Sequence, residues 1–146
     1  MDKSEIIKIV RNKITSKIQN FENLIAETRA SSNDTKSSMG DKYETGREML
    51  QQEINNLQRQ LNEALNQQVL IRKITSEPSL KVQNGALVKT DKGVFYISAS
   101  IGEIILDNQK IMTISAESPL AKAMTGLTKG QSFSVNTVSQ IIEEIW

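Results

Sequence analysis

The chain has 146 residues, a net charge of +1 at pH 7, 4% aromatic residues, and neither Cys nor His. Those absences exclude a thiolate nucleophile, a thiolate zinc site, a histidine general base and a disulfide scaffold, which leaves carboxylate, lysine, hydroxyl or a hard metal for any chemistry. The near-zero charge gives no global attraction to nucleic acid or membrane.

The length allows one compact domain or a small domain with an extended appendage. Few aromatics and an N-terminal half rich in Gln, Asn, Glu, Lys and Leu, with no Pro before Pro78, favour the second. The start Met1-Asp2-Lys3-Ser4-Glu5 alternates charge, and no apolar run approaches the roughly 20 residues of a membrane span. The expectation is a soluble cytoplasmic protein with no membrane partner.

From Ile7 to Thr28 the apolar residues fall at heptad spacing: Ile7, Ile14 and Phe21 at one position, Val10 and Leu24 at the other, with Ile18 and Ile25 widening the stripe. A second run has Leu50, Leu57, Ala64 and Ile71 interleaved with Ile54 and Leu61. It predicts a helix of about thirty residues, roughly 45 Å long. Between them Ser31 to Gly40 is small and polar without a hydrophobic period, and is expected to end the first helix. A linker this short favours an antiparallel hairpin within one chain over parallel pairing with a second chain.

After Pro78 the period changes to two. Phe95, Ile97 and Ala99 alternate with Tyr96, Ser98 and Ser100, and Ile111 and Thr113 alternate with Met112 and Ile114. Turn signals at Asp91-Lys92-Gly93, Ile101-Gly102 and Asp107-Asn108 predict a meander of short antiparallel strands. Ser118-Pro119 predicts a short helix with Ser as N-cap and Pro at its first position, stopping at Gly126. Gln131 to Asn136 reads as a strand, whereas Val138 to Trp146 fits a helix or a strand. The expected fold class is therefore α+β, with an antiparallel coiled-coil arm over residues 1–76, its tip around 31–44, and a small β-rich domain with one short helix over 77–146.

Two acids, Asp41 and Glu44, lie in Gly40-Asp41-Lys42-Tyr43-Glu44-Thr45-Gly46 where the two heptad segments meet. At a helix start, Asp-x-x-Glu is also a capping pattern, in which Asp41 accepts from a backbone N–H and Glu44 reaches back to the Asp41 N–H. Capping does not prevent such a carboxylate from meeting a metal held by another protein. The basic residues Lys8, Arg11, Lys13 and Lys17, facing Arg72 and Lys73 in an antiparallel hairpin, form either a solvated helix face or a surface for an acidic or nucleic-acid partner.

The chain resembles the GreA/GreB transcript cleavage factors of bacterial RNA polymerase over nearly its whole length. The motifs that carry the resemblance are Gly40-Asp41-x-x-Glu44-Thr45-Gly46, similar to the acidic tip of that family, and Ser115-Ala116-Glu117-Ser118-Pro119-Leu120-Ala121-Lys122-Ala123-Met124-Thr125-Gly126-Leu127-Thr128-Lys129-Gly130, similar to the helix-and-turn signature of its FKBP-like C-terminal domain. The resemblance implies a transcription elongation factor, acting as a monomer at a DNA-bound polymerase. The arm enters the secondary channel, and Asp41 and Glu44 help hold a Mg²⁺ ion shared with the polymerase at the nascent RNA 3′ end. Such a protein stimulates the nuclease activity of the polymerase and is no enzyme by itself; it needs no cofactor when free.

The chain departs from that pattern beside the two acids. Lys42 and Arg47 place positive charge next to the implied metal ligands, which weakens cation binding or, alternatively, contacts RNA phosphate. With Lys8 and Arg11 they are the candidate partner-binding residues. A non-cleaving secondary-channel regulator is the alternative function. From other classes come a coiled-coil adaptor and a chaperone-like protein or prolyl isomerase, the last requiring an apolar cleft lined by aromatics that only Phe95, Tyr96, Phe133 and Trp146 are available to supply.

Overall fold

The computed structural model describes the backbone of residues 1–35 and 44–146, and the side chains of residues 1–31 and 46–146. Two helices come first, α1 (Lys3–Thr35) and α2 (Glu44–Arg72). They are followed by β1 (Leu87–Thr90), β2 (Gly93–Ser98), β3 (Gly102–Leu106), β4 (Gln109–Ser115), α3 (Pro119–Met124), β5 (Ser132–Val135) and β6 (Val138–Ile145). The chain forms two compact units, one of Ile14–Asn66 and one of Met1–Lys13 with Gln67–Trp146. The base of both helices thus belongs with the sheet, and the expected boundary between residues 76 and 77 falls inside that unit.

In the helical unit the heptad stripes close on each other. Ile14, Ile18 and Ile25 of α1 and Ile54, Leu61 and Ala64 of α2 are all buried. With only residues 36–43 between the helices, the two buried stripes pair as an antiparallel hairpin. Leu24, expected at a heptad position, and Leu65 remain more than a third exposed, at 37% and 38%, and Ile25 takes the buried place beside Leu24.

The first helix is longer than its hydrophobic period. The expectation that the chain leaves the helix at Ser31 is corrected, because α1 continues to Thr35. Small hydroxyl residues break helices when their side chains compete for backbone groups in non-helical geometry. Here the Thr28 hydroxyl donates to the Leu24 carbonyl at 2.7 Å and the Ser31 hydroxyl to the Glu27 carbonyl at 3.2 Å, one turn back, so both are satisfied without unwinding it.

The sheet has six strands in the order β3-β4-β2-β1-β6-β5. Four of the pairings are antiparallel, but β2 and β4 run parallel, with Val94 beside Ile111 and Ile97 beside Ile114. The expected antiparallel meander is corrected to a mixed sheet. After β2 the chain moves outward to the edge strand β3 and returns as β4 between the two. The ambiguous C-terminal stretch is the strand β6, paired with β1 on one side and β5 on the other.

Strand pleating sends alternate residues to opposite faces. On one face Val88, Ile97, Ile114 and Ile142 pack with Phe133 of β5 and with Ala121 and Met124 of α3. The Ser118 hydroxyl caps α3 by accepting from the Ala121 N–H at 3.2 Å, Pro119 opens the helix, and Gly126 takes up φ +86° after its end. The Ser cap contributes about 1 kcal/mol to placing this short helix. On the other face Leu87, Val94, Tyr96, Ile104 and Ile111 are also buried, which a six-stranded sheet achieves only if both faces are covered. The base of the helices meets this side: the Lys13 ammonium donates to the Glu103 carbonyl at 3.2 Å, and the Gln67 amide to the Ser100 carbonyl at 3.1 Å.

Three hairpins turn on two residues each, Asp91 and Lys92 between β1 and β2 being one of them. Asp107 and Asn108 between β3 and β4, and Asn136 and Thr137 between β5 and β6, all have positive φ. Both central residues at positive φ define the type I′ turn that matches strand twist. Asn and Asp tolerate this conformation, but Thr137, at φ +66°, is β-branched. Thr137→Gly is expected to raise stability by about 0.5–1 kcal/mol, the relief of strain being partly offset by the greater freedom of unfolded glycine. A thermal melt should show a gain of about 2 °C, and a Val at the same position should show none.

Candidate functional site

The acidic pair lies in the sequence at the start of α2. Glu44 is the first residue of α2, while Asp41 and Lys42, together with the capping geometry expected at Asp41, lie outside the described residues. Arg47 is placed three positions after Glu44, a spacing that brings residues to the same side of a helix. Its side chain is half-buried, and its Nε is buried with no acceptor among the described residues. A guanidinium beside an acidic motif lowers the affinity of that motif for a bare cation and raises it for an anionic group.

Among the described residues no group of three or more acids, His or Cys is placed to hold a metal. Asp41 and Glu44 fall outside that set, and two carboxylates would leave most of the six oxygen positions of a magnesium ion to other groups.

Lys8 and Arg11 lie in the other unit and are exposed. They line a groove of about 470 Å³ together with Arg72, the last residue of α2. The sequence grouped Lys13 and Lys17 with them, but the structure separates that group. Lys13 is engaged with the Glu103 carbonyl, and Lys17 belongs to the helical unit.

Sequence reasoning passed over three polar residues of the sheet unit. Lys3 is only 5% exposed, and its ammonium donates to the carbonyls of Glu77 at 2.7 Å and Trp146 at 3.0 Å, joining α1 to the segment after α2 and to the end of β6. Burial lowers its pKa below the ordinary lysine value. Tyr96 and Ser98, on one face of β2, have buried hydroxyls without a hydrogen-bond partner among the described residues. Nothing in the sequence marks Lys3, which looks like any other charge in an alternating start. The alternation of β2 set Tyr96 and Ser98 on one face, but did not mark their hydroxyls as buried.

Burial pushes the Tyr96 phenol up to about 12, against a smaller lowering by the Arg11 guanidinium. Its folded pKa lies above the unfolded value near 10. The stability it contributes is therefore fully present below pH 10 and is lost as pH rises toward 12. Lys3 acts in the opposite sense, since its depressed pKa makes the charged form costly and deprotonation relieves that cost. Comparing wild type with Tyr96→Phe cancels the Lys3 effect. The Phe variant should be as stable or more stable by about 1 kcal/mol at pH 7, because an unpaired hydroxyl is removed. The gap should widen by on the order of 2 kcal/mol by pH 12, measured by urea unfolding across that range.

No family model and no curated protein matches the chain. Among solved structures it is similar to the transcription factor Gfh1, at 13% identity and a TM-score of 0.39, covering 92% of this chain and 90% of that one. It is also similar to the GreA factor homolog 1 (Gfh1) protein of Thermus thermophilus, at 15% identity and a TM-score of 0.39, with 93% and 94% covered. For Gfh1 of Thermus aquaticus the values are 18% and 0.38, with 94% of each chain covered. Among the described residues no helix is long and apolar enough to cross a membrane.

Proposed function

We propose that this chain is a transcription factor that binds RNA polymerase through its secondary channel, with the helical hairpin as the entering element. One observation carries the reading. The acidic motif Gly40-Asp41-x-x-Glu44 sits in the connection of a helical hairpin, and a Ser118-capped, Pro119-started helix packs on the sheet that follows. The same residues carry the resemblance to the GreA/GreB factors. Two carboxylates supply too few ligands for a magnesium site of their own, so their chemistry has to be done in a site belonging to another protein.

In this reading Asp41 and Glu44 lend oxygen ligands to a Mg²⁺ that the polymerase also holds. When bound there, the ion supplies polarisation of a water and stabilisation of an in-line displacement at the RNA phosphate. The protein acts as a ligand donor and not as an enzyme, and it works as a cytoplasmic monomer. RNA polymerase stalled on backtracked RNA, with and without the protein, tests it. Shortening of the transcript from the 3′ end supports cleavage, and absence of polymerase binding removes the whole reading.

A second reading, a channel factor that does not promote cleavage, is favoured by Arg47. Its guanidinium and Lys42 place two positive charges close in sequence to the acids, each opposing a bound cation by about 1 kcal/mol at a solvated site. Binding to polymerase without RNA shortening selects it. The prolyl isomerase alternative loses support from the aromatics. Tyr96 is fully buried, Phe133 is a core residue, and Phe95 and Tyr96 are strand neighbours that face opposite sides of the sheet, so they do not converge on one cleft.

A further inference from the structure

The groove at the base of the helices belongs to a different unit from the tip, and nothing about it depends on the polymerase reading. Ser4, Lys8 and Arg11 fall at i, i+4 and i+7 on α1, one side of the helix, and line it together. Arg72 brings a third cation from the end of α2, and Thr75 and Ser76 add two more hydroxyls from the segment that follows.

No carboxylate lines the groove. Among the described residues Arg11 and Arg72 take part in no ion pair. Lys8 lies 3.9 Å from Glu5, but both side chains are at least half exposed, and such a pair holds the lysine weakly. Three cations around one hollow repel each other, and a bound anion relieves that repulsion. The volume of about 470 Å³ lies within the range of small-ligand sites. Ile7 and Ile74, both almost fully buried, supply an apolar wall.

We infer that this groove binds a compact polyphosphate, two or more linked phosphates bearing several negative charges. A single phosphate is too small to engage three cations drawn from two elements, whereas linked phosphates present enough oxygens for the two guanidiniums to grip in bidentate fashion. A long nucleic-acid backbone is a poorer fit. The cations converge on one hollow instead of following a line, and a net charge of +1 gives no attraction for an extended polyanion. An inorganic chain and the phosphates of a nucleoside triphosphate share this chemistry.

Titration calorimetry on the full chain at low ionic strength, with tripolyphosphate, ATP and a single-stranded oligonucleotide as separate probes, tests the inference. Tripolyphosphate and ATP should each bind at one site. Arg11→Gln and Arg72→Gln should each weaken binding roughly tenfold or more, with helicity unchanged because both residues are exposed. Lys110→Gln, on an exposed position of β4, should leave it unchanged. ATP binding about tenfold tighter than tripolyphosphate would identify the nucleoside source, with the base against Ile7 and Ile74, and equal affinities the inorganic one. The inference is overturned if neither small probe binds, if both Arg variants bind as wild type does, or if only the oligonucleotide binds.

Discussion

Asp41→Asn is expected to abolish RNA shortening by backtracked polymerase while leaving polymerase binding and helix content intact. Asn is as good a capping residue as Asp, so the substitution is neutral toward a capping role. It brings no negative charge, so the shared metal loses a ligand whose contribution to charge stabilisation amounts to several kcal/mol, or roughly a 10²-fold fall in cleavage rate or more. Glu44→Gln, at the first position of α2, should fall by a similar factor. Removing positive charge with Arg47→Gln should act the other way and raise cleavage severalfold, because about 1 kcal/mol of repulsion is lifted. Cleavage by Asp41→Asn at the wild-type rate would end the proposal that the tip acids are ligands. If wild type binds without cleaving, the non-cleaving regulator takes its place.

The second large effect concerns the layer that positions α3 on the sheet. Ile97 lies on the inner strand β2, is 1% exposed, and packs in the cluster formed with Val88, Ile114, Ala121, Met124 and Ile142. Ile97→Ala removes buried methyl and methylene groups and leaves a cavity that close-packed neighbours fill only in part. The expected loss is about 2–5 kcal/mol, a fall in Tm of roughly 10 °C. Met112→Ala serves as the control. Met112 pairs with Phe95 and so shares the face of Ile97, yet it is 41% exposed. Its substitution should stay within about 0.5 kcal/mol. Equal losses at the two positions would mean that α3 does not divide this face into a covered part and an open one.

The reach of sequence reasoning can be followed residue by residue. The hairpin buries Ile14, Ile54 and Leu61 of the heptad positions and Ile18 and Ile25 beside them, while Leu24 stays 37% exposed, because a helix turns a sequence pattern into a face but its 3.6-residue period drifts against a seven-residue repeat. Ser118-Pro119 located its helix for a similar reason, since capping is a contact between near neighbours. The acid pair was legible as a motif, and its neighbour Arg47 as a charge, although the burial of the Arg47 Nε emerges only from the folded chain.

Failures arose where a local preference met a distant partner. Ser31 to Thr35 lack a hydrophobic period, and composition alone does not reveal that hydroxyls will bond back one turn within the helix. The alternation of Tyr96 and Ser98 with Phe95 and Ile97 gave two faces without saying what covers either. Both faces of β2 are covered because β2 lies inside the sheet, with α3 on one side and the base of the helices on the other. Val138 to Ile145 was undecided between helix and strand until β1 and β5 supplied pairing partners on both sides.

By itself, then, the sequence determined a helical hairpin, an acidic motif in its connection, a capped short helix and the absence of any Cys or His chemistry. All of these rest on interactions between residues close along the chain or on residue identity. Only the tertiary structure decided that β4 enters the sheet parallel to β2, that Lys3 is buried against the Glu77 and Trp146 carbonyls, and that Lys8, Arg11 and Arg72 converge on one groove. Each of these joins residues far apart in the chain, and such meetings are settled by packing the whole unit, not by any local pattern.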